Sequence, residues 1–465
     1  MAPAHRPHPP GCALSTHPPT QQRRTCCNLR RSYPVNTIER LESEVRSYCR
    51  LWPVEFATAR GSLLTDVDGN EYIDFFAGAG VMNYGHNDPA IKRALLDYLA
   101  GDGIVHSLDM ATSAKTRFLD AFERIILKPR GLNYKVQFPG PTGTNAVEAA
   151  LKLARKVKGR DSIMSFTNAF HGMTLGSLAV TGNEMKRRGA GVPLNNSSTM
   201  PYFNFLGEEA QTLDYMEAYL RAGGSGIDTP AAMIVETVQA EGGLNVAPAR
   251  WMKRLAALCE EHDMLLIVDD IQAGCGRTGD FFSWESMGIQ PDIVTLSKSL
   301  SGFGLPFAVT LMKPEYDQWS PGEHNGTFRG HNPAFVTATE ALKRWETGEL
   351  SNEVRRKEAI VRDRLEAIVR EHPVLDGEVR GRGLIQGIAS DAVEGFGEEV
   401  AKEAFKQRLI METSGPESEV AKILPPLVIE DELLARGLDI VAESVATVAA
   451  RLSPVERQLA GVAGG

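Results

Sequence analysis

The stretch Leu265–Phe282, LLIVDDIQAGCGRTGDFF, decides the fold. An apolar run ends in Asp269 and Asp270, and Gly274, Gly276 and Gly279 follow in the spacing G-x-G-x-x-G. A dinucleotide-binding turn would set its first glycine at the strand-to-helix turn and open an apolar helix. In this chain DDIQA separates the run from Gly274, and DFFSW after Gly279 has no helical period. The acidic residue expected about 20 residues further on, at the end of the next strand, is also missing. No G-x-x-x-x-G-K-[ST] occurs anywhere, which excludes a P-loop. What remains is a buried strand ending in an acidic pair, followed by a glycine-rich loop. A helix cap or a solvated loop acid is the plainer reading of that pair.

Outward from this strand, short apolar runs alternate with helical patterns between about 110 and 330. KVQFPG, SIMSFTN, AAMIVET, MLLIVDD, DIVTLSK and FAVTLMK read as strands, while NAVEAALKLARKV and ARWMKRLAALCEEH read as helices. Such alternation specifies an α/β fold with a mostly parallel sheet covered on both faces. Before it, LLTDVDGNEYIDFFAG alternates around Asp68-Gly69 as a hairpin, and NDPAIKRALLDYLA is an amphipathic helix begun by Asp88 and Pro89. After Asn332-Pro333 come AFVTATEALKRWET, SNEVRRKEAIVRDRLEAIVREH, a strand region at VRGRGLIQGIA and the helix EDELLARGLDIVAESVATVAARL. The expected organisation is a large domain over residues 101–332. A smaller α+β domain is expected from both chain ends, 37–100 and 333–465.

Functional groups of an open α/β sheet collect at the carboxyl ends of its strands. One strand beyond Asp269, DIVTLSKSLSGFGLPFAV sets Lys298 at a strand end in a Ser/Gly-rich loop. Alone it reads as a surface charge. A carboxylate and a lysine on adjacent strands are the two parts that a pyridoxal phosphate site requires. The amine bonds covalently to the cofactor, and the carboxylate keeps the pyridine nitrogen protonated. Gly140–Arg155, GPTGTNAVEAALKLAR, is a Gly/Thr-rich turn entering a helix whose first N–H groups can take a phosphate. Its plainer reading is an ordinary capped helix start. In NAFHG, Asn168–Gly172, an aromatic ring at a strand end can stack on a cofactor or sit in the core.

Composition agrees with a soluble globular enzyme: 43% of the 465 residues are hydrophobic and 23% are charged. The net charge of −9 argues against a nucleic-acid partner, and no apolar run approaches a membrane span. None of the six cysteines forms a C-x-x-C or zinc spacing, so a reduced, cytoplasmic protein without a metal site is expected. Residues 1–36 differ from the rest. They carry seven prolines, five arginines, three of the cysteines and no Asp or Glu. Disorder is the expectation for them, because scattered prolines break the amphipathic helix of a transit peptide. Val35 before NTIERLES also reads as an alternative start of translation.

From about 38 to 452 the sequence resembles the class III aminotransferases, the fold-type I pyridoxal phosphate enzymes. FFAGAGVMNYGHNDP, PGPTGTNAVEAALKLARKVKGR, TLSKSLSGFGLPFA and METSGPESEV…ILPPL look like the diaminobutyrate-forming members that serve ectoine synthesis. The resemblance implies Lys298 as the lysine bonded to the cofactor, Asp269 at the pyridinium nitrogen and Gln272 at the ring hydroxyl. It implies Gly143 and Thr144 at the phosphate, Phe170 stacked on the ring, and Glu236 and Glu241 on the substrate side. Thr327, in HNGTFRG, would reach the phosphate of a neighbouring subunit, which requires at least a dimer. The implied substrates are L-glutamate and L-aspartate 4-semialdehyde. The same chemistry could serve siderophore or polyamine synthesis. Two departures stand out: Met173 and Lys422 occupy positions where many relatives have carboxylate-gripping arginines. Arg329 and Lys422 are then the candidate carboxylate-binding cations.

Overall fold

In the computed structural model, which describes residues 36–207 and 211–452, Leu265–Asp269 is a strand buried along its whole length. A strand buried on both sides needs cover over both faces of its sheet. It is the middle strand of seven. Their order is Lys135–Gln137, Val309–Met312, Ile293–Leu296, Leu265–Asp269, Ala232–Val235, Ile163–Phe166 and Ser197–Met200. Val309–Met312 runs antiparallel to both neighbours, and every other pairing is parallel. All six apolar runs are strands of this sheet. The seventh, Ser197–Met200, escapes a hydrophobicity reading because SSTM is a half-exposed edge strand.

Helix Gly143–Lys158 starts from a capping box of Thr142 and Asn145 and turns Val147, Ala150, Leu151 and Ala154 into the core. It packs against Ile293–Leu296 and Val309–Met312. Its N-terminus therefore sits at the same edge of the sheet as the ends of the central strands.

Ser47–Gly465 and Met1–Arg46 are two compact units. Of the second, the described part is the helix Asn36–Leu41 and the residues up to Arg46. The Arg- and Pro-rich residues 1–35 lie outside the described residues.

Within Ser47–Gly465, the hairpin at Asp68-Gly69 is present. Asp66 Oδ1 accepts from the N–H groups of Asp68 (3.0 Å) and Asn70 (2.8 Å), and Gly69 takes φ +85°. Its strands, Leu63–Asp66 and Glu71–Asp74, share a sheet with Phe56–Arg60 and with Leu409–Ile410, which runs parallel to Glu71–Asp74. Segments from both chain ends thus meet in one ladder. A third sheet, Glu378–Arg382, Ile385–Ala389, Val420–Ile423 and Glu412–Ser414, is antiparallel throughout. Helices Glu349–Glu371 and Phe396–Lys406 pack on it.

The glycine-rich loop holds chain segments together. Gly276 has φ +91°, and a Cβ there would come within 2.6 Å of the Trp345 ring. Beside it the Arg277 guanidinium is fully buried and donates to the carbonyls of Leu384 (2.8 Å) and Pro425 (2.5 Å) and to Asn83 Oδ1 (2.5 Å). Burial without a carboxylate in contact brings its pKa down to about 9. No helix among the described residues is long and apolar enough to cross a membrane, and no described cluster of His, Cys, Asp and Glu could hold a metal ion.

Candidate active site

A cavity of about 190 Å³ opens at the carboxyl ends of the central strands. Eight of the residues singled out from the sequence line it: Gly143, Thr144, Phe170, Glu236, Glu241, Asp269, Gln272 and Lys298.

Asp269 ends the central strand and is 5% exposed. Its Oδ2 lies 2.7 Å from His171 Nδ1, and its Oδ1 accepts from Thr295 Oγ1 (3.0 Å) and the Ile271 N–H (3.2 Å). Thr295 pairs with Asp269 in the parallel ladder, which puts both side chains on one face. The next residue, Asp270, points away from the cavity. It is fully buried, accepts from the Ser283 N–H (3.0 Å), and burial pushes its pKa up to about 7.

Lys298 begins the turn after strand Ile293–Leu296 with φ +49°, a conformation rare outside glycine. Its Nζ donates to the Ala79 carbonyl at 2.8 Å, and Gln272 Nε2 donates to the same oxygen at 2.8 Å. Burial pulls the lysine pKa down. The candidate anion-binding end is the first turn of helix Gly143–Lys158. Thr144 Oγ1 lies 2.6 Å from Thr174 Oγ1 and 2.9 Å from Ser177 Oγ. Backbone approaches closely there: a Cβ on Gly172 would come within 2.5 Å of Thr144 Oγ1.

Phe170 and Val238 supply the apolar walls. The Phe170 N–H donates to Glu236 Oε2 at 3.0 Å. Burial, with Asp269 nearby, lifts the Glu236 carboxyl well above the usual range. Behind Glu241 lies Lys422, fully buried, with its Nζ 3.0 Å from Glu241 Oε1 and 2.8 Å from Glu412 Oε1. Tyr48 Oη donates to the other oxygen of Glu412 at 3.0 Å. Burial would raise Glu241, but Lys422 and then Lys298 hold its pKa down to about 2. Burial raises Glu412 against the pull of Lys422, as expected where two carboxylates share one ammonium.

Besides Lys422, two expected site residues lie outside the cavity lining, Thr327 being expected at a neighbouring subunit's phosphate. Thr327 and Arg329 are not among the residues lining the cavity. The Thr327 carbonyl lies 2.8 Å from His106 Nε2. Arg329 Nη1 is 3.3 Å from Asn325 Oδ1 and 3.7 Å from Asp109 Oδ2. Met173 is 54% exposed. His171, Thr295, Glu412 and Tyr48 were not singled out from the sequence. His171 stands beside Phe170 in NAFHG, and Thr295 stands in the strand before Lys298, so strand register held a signal for both. Nothing local marks Tyr48 or Glu412.

The cavity fits pyridoxal phosphate on its own chemistry. A buried carboxylate, an amine and a helix N-terminus line it together. Two buried polar atoms there, His171 Nε2 and Gln272 Oε1, have no partner within the protein. These suit a cationic ring nitrogen, a carbonyl carbon, an anionic tail and further polar ring substituents.

The family model for class III aminotransferases matches residues 48–445. A diaminobutyrate--2-oxoglutarate transaminase of Halalkalibacterium halodurans is 60% identical over 411 residues, 88% of this chain and 96% of the relative. The enzyme of that name from Bordetella parapertussis is 59% identical over 426 residues, 91% of this chain and 98% of the relative. Among solved structures, an ornithine aminotransferase from Toxoplasma gondii, with pyridoxal phosphate partially occupying its active site, superposes with a TM-score of 0.77. It is 26% identical, with 91% of this chain and 95% of the other covered.

Proposed function

The chain belongs to the class III aminotransferases, and from that premise we propose that it moves the amino group of L-glutamate to the aldehyde carbon of L-aspartate 4-semialdehyde. The products are L-2,4-diaminobutyrate and 2-oxoglutarate, and the reaction is the first step of ectoine biosynthesis. The observation that carries the substrate reading is the near full-length identity to diaminobutyrate--2-oxoglutarate transaminases.

Pyridoxal phosphate, when bound, supplies a carbonyl carbon that captures the substrate amine and a ring that draws off electrons as the substrate carbon loses its proton. The rest is the work of side chains in the cavity. The Asp269 carboxylate would accept a hydrogen bond from the protonated ring nitrogen, and His171 and Thr295 hold that carboxylate in place. Lys298 Nζ, whose pKa burial lowers, would take the proton from the reacting carbon of the substrate and hold it for return. Gly143 and Thr144 would hold the phosphate at the helix N-terminus. Phe170 and Val238 would exclude water from the cofactor. Gln272 would hold the ring hydroxyl, and Glu236 and Glu241 would border the substrate. Thr327 would act on the phosphate of a second copy, which requires at least a dimer.

Product analysis tests the proposal. With glutamate and aspartate semialdehyde supplied, diaminobutyrate and 2-oxoglutarate should form in equal amounts. The rate should exceed that with ornithine or 4-aminobutyrate as amine donor. Preference for either of those donors would replace the substrate reading with another ω-aminotransferase activity.

A further inference from the structure

The site needs a cation for substrate carboxylates, and the two candidates from the sequence are poorly placed for it. Lys422 lies between Glu241 and Glu412, where its charge is already balanced. Arg329 has Asn325 and Asp109 beside it. Lys298 is reserved for the chemistry.

A further lysine stands beside a ring that lines the cavity. Lys186 Nζ lies over the ring of Phe170, 4.2 Å from its centroid. An ammonium at that distance is held by the ring quadrupole. The segment carrying it, the short helix Glu184–Arg188, is fastened at both ends. Asn183 Oδ1 accepts from the Lys186 N–H at 3.0 Å. The Arg187 guanidinium donates to the carbonyls of Leu178 (3.2 Å), Ala179 (3.2 Å) and Thr181 (2.8 Å). Among the described residues, no carboxylate is in salt-bridge contact with the Lys186 ammonium. Its charge reaches the substrate side of the cavity, for it is among the cations that hold the Glu241 carboxyl down.

The geometry points to Lys186 as the specificity-determining cation that pairs with the carboxylate distal to the reacting carbon. This rests on the substrates proposed above. In glutamate and 2-oxoglutarate the distal carboxyl carbon is three bonds from the carbon that exchanges nitrogen. In aspartate semialdehyde and diaminobutyrate, counted from the aldehyde or 4-amino carbon, the carboxyl carbon is also three bonds away. One cation beside Phe170 therefore serves both half-reactions, although the two substrates enter by different ends. A lysine gives a point charge without the fork of an arginine, so it tolerates the different carboxylate orientations.

The test uses the holoenzyme with Lys186→Met and Lys186→Arg. Calorimetric titration with glutarate, a dicarboxylate that cannot react, should show binding about tenfold weaker in Lys186→Met, the size of one lost charged hydrogen bond. The KM values for glutamate and aspartate semialdehyde should rise together with little change in kcat. Selectivity for glutamate over L-norvaline, which lacks only the distal carboxylate, should fall about tenfold in kcat/KM. Lys186→Arg should recover most of each effect. Unchanged glutarate binding overturns the proposal. So does an equal loss for glutamate and L-norvaline, which would make Lys186 a support for Phe170 alone. The glutarate arm does not depend on the amine acceptor. If the wild type rejects aspartate semialdehyde, the substrate reading fails while the role of Lys186 is still decided.

Discussion

Two charged clusters border the same cavity and are built in opposite ways. Asp269 and Lys298 stand at or just beyond the ends of neighbouring parallel strands, and the sheet ladder sets their separation. Glu241, Glu412, Lys422 and Tyr48 come from a loop, two paired strands of another sheet and a short N-terminal helix. The first cluster is a placement of a carboxylate and an amine in one cavity, and the pKa of the amine is lowered by burial. The second is a balance of charge, two carboxylates against one ammonium, and each member depends on the others being present. Substitution in the first should remove chemistry and spare the fold, whereas substitution in the second should act on stability.

Lys298→Ala should give the largest effect, with turnover and the visible absorbance of the covalently held cofactor both lost. Borohydride reduction and peptide mapping of the wild type should find the label on Lys298. A label on another lysine breaks the assignment. Asp269→Asn should keep the melting temperature near that of the wild type and lower both half-reactions about a hundredfold. That is the scale of a charge-assisted hydrogen bond worth about 3 kcal/mol. Near-wild-type rates for both half-reactions would remove Asp269 from the ring nitrogen.

In the second cluster, Lys422→Met leaves Glu241 and Glu412 facing each other without a cation and should cost about 3–5 kcal/mol of stability. Glu412→Gln leaves the Lys422–Glu241 pair intact and removes the carboxyl that burial already disfavours. It should change stability by about 1 kcal/mol or less. Denaturant unfolding of both variants sharpens the comparison, and equal losses would mean that the cluster is not a charge balance.

The smallest effect concerns Asp270, whose folded-state pKa near 7 is above its ordinary value of about 3.9. The folded protein binds the proton more tightly than the unfolded chain does. The contribution of this group is therefore complete below about pH 4 and is lost as the pH rises through about 7. Asp270→Asn should flatten the melting temperature over that window, with a milder loss of activity than Asp269→Asn. An unchanged pH profile would place the titration elsewhere.

The central strands and the pair Asp269 and Lys298 were legible because they follow from local pattern. Apolar runs of four to five residues bounded by loops identify buried strands, and function collects at their ends. Gly143 and Thr144 were legible for the same reason, as a helix start. Ser197–Met200 was not, since an edge strand needs no apolar run. His171 sat inside a quoted motif, yet its bond to Asp269 spans 98 residues.

The sequence by itself determined the α/β alternation, the order of the strands along the chain and the reactive groups at their ends. Periodicity and turn chemistry are local, so they can be read from neighbours. Only the tertiary structure decided which charges are spent and which remain. Lys422 looked like a free cation until the antiparallel register set it opposite Glu412 and brought Glu241 to its other side. Lys186 was not singled out from the sequence, and only folding placed it over Phe170. Pairing of that kind depends on distances between residues far apart in the chain, and no local pattern encodes it.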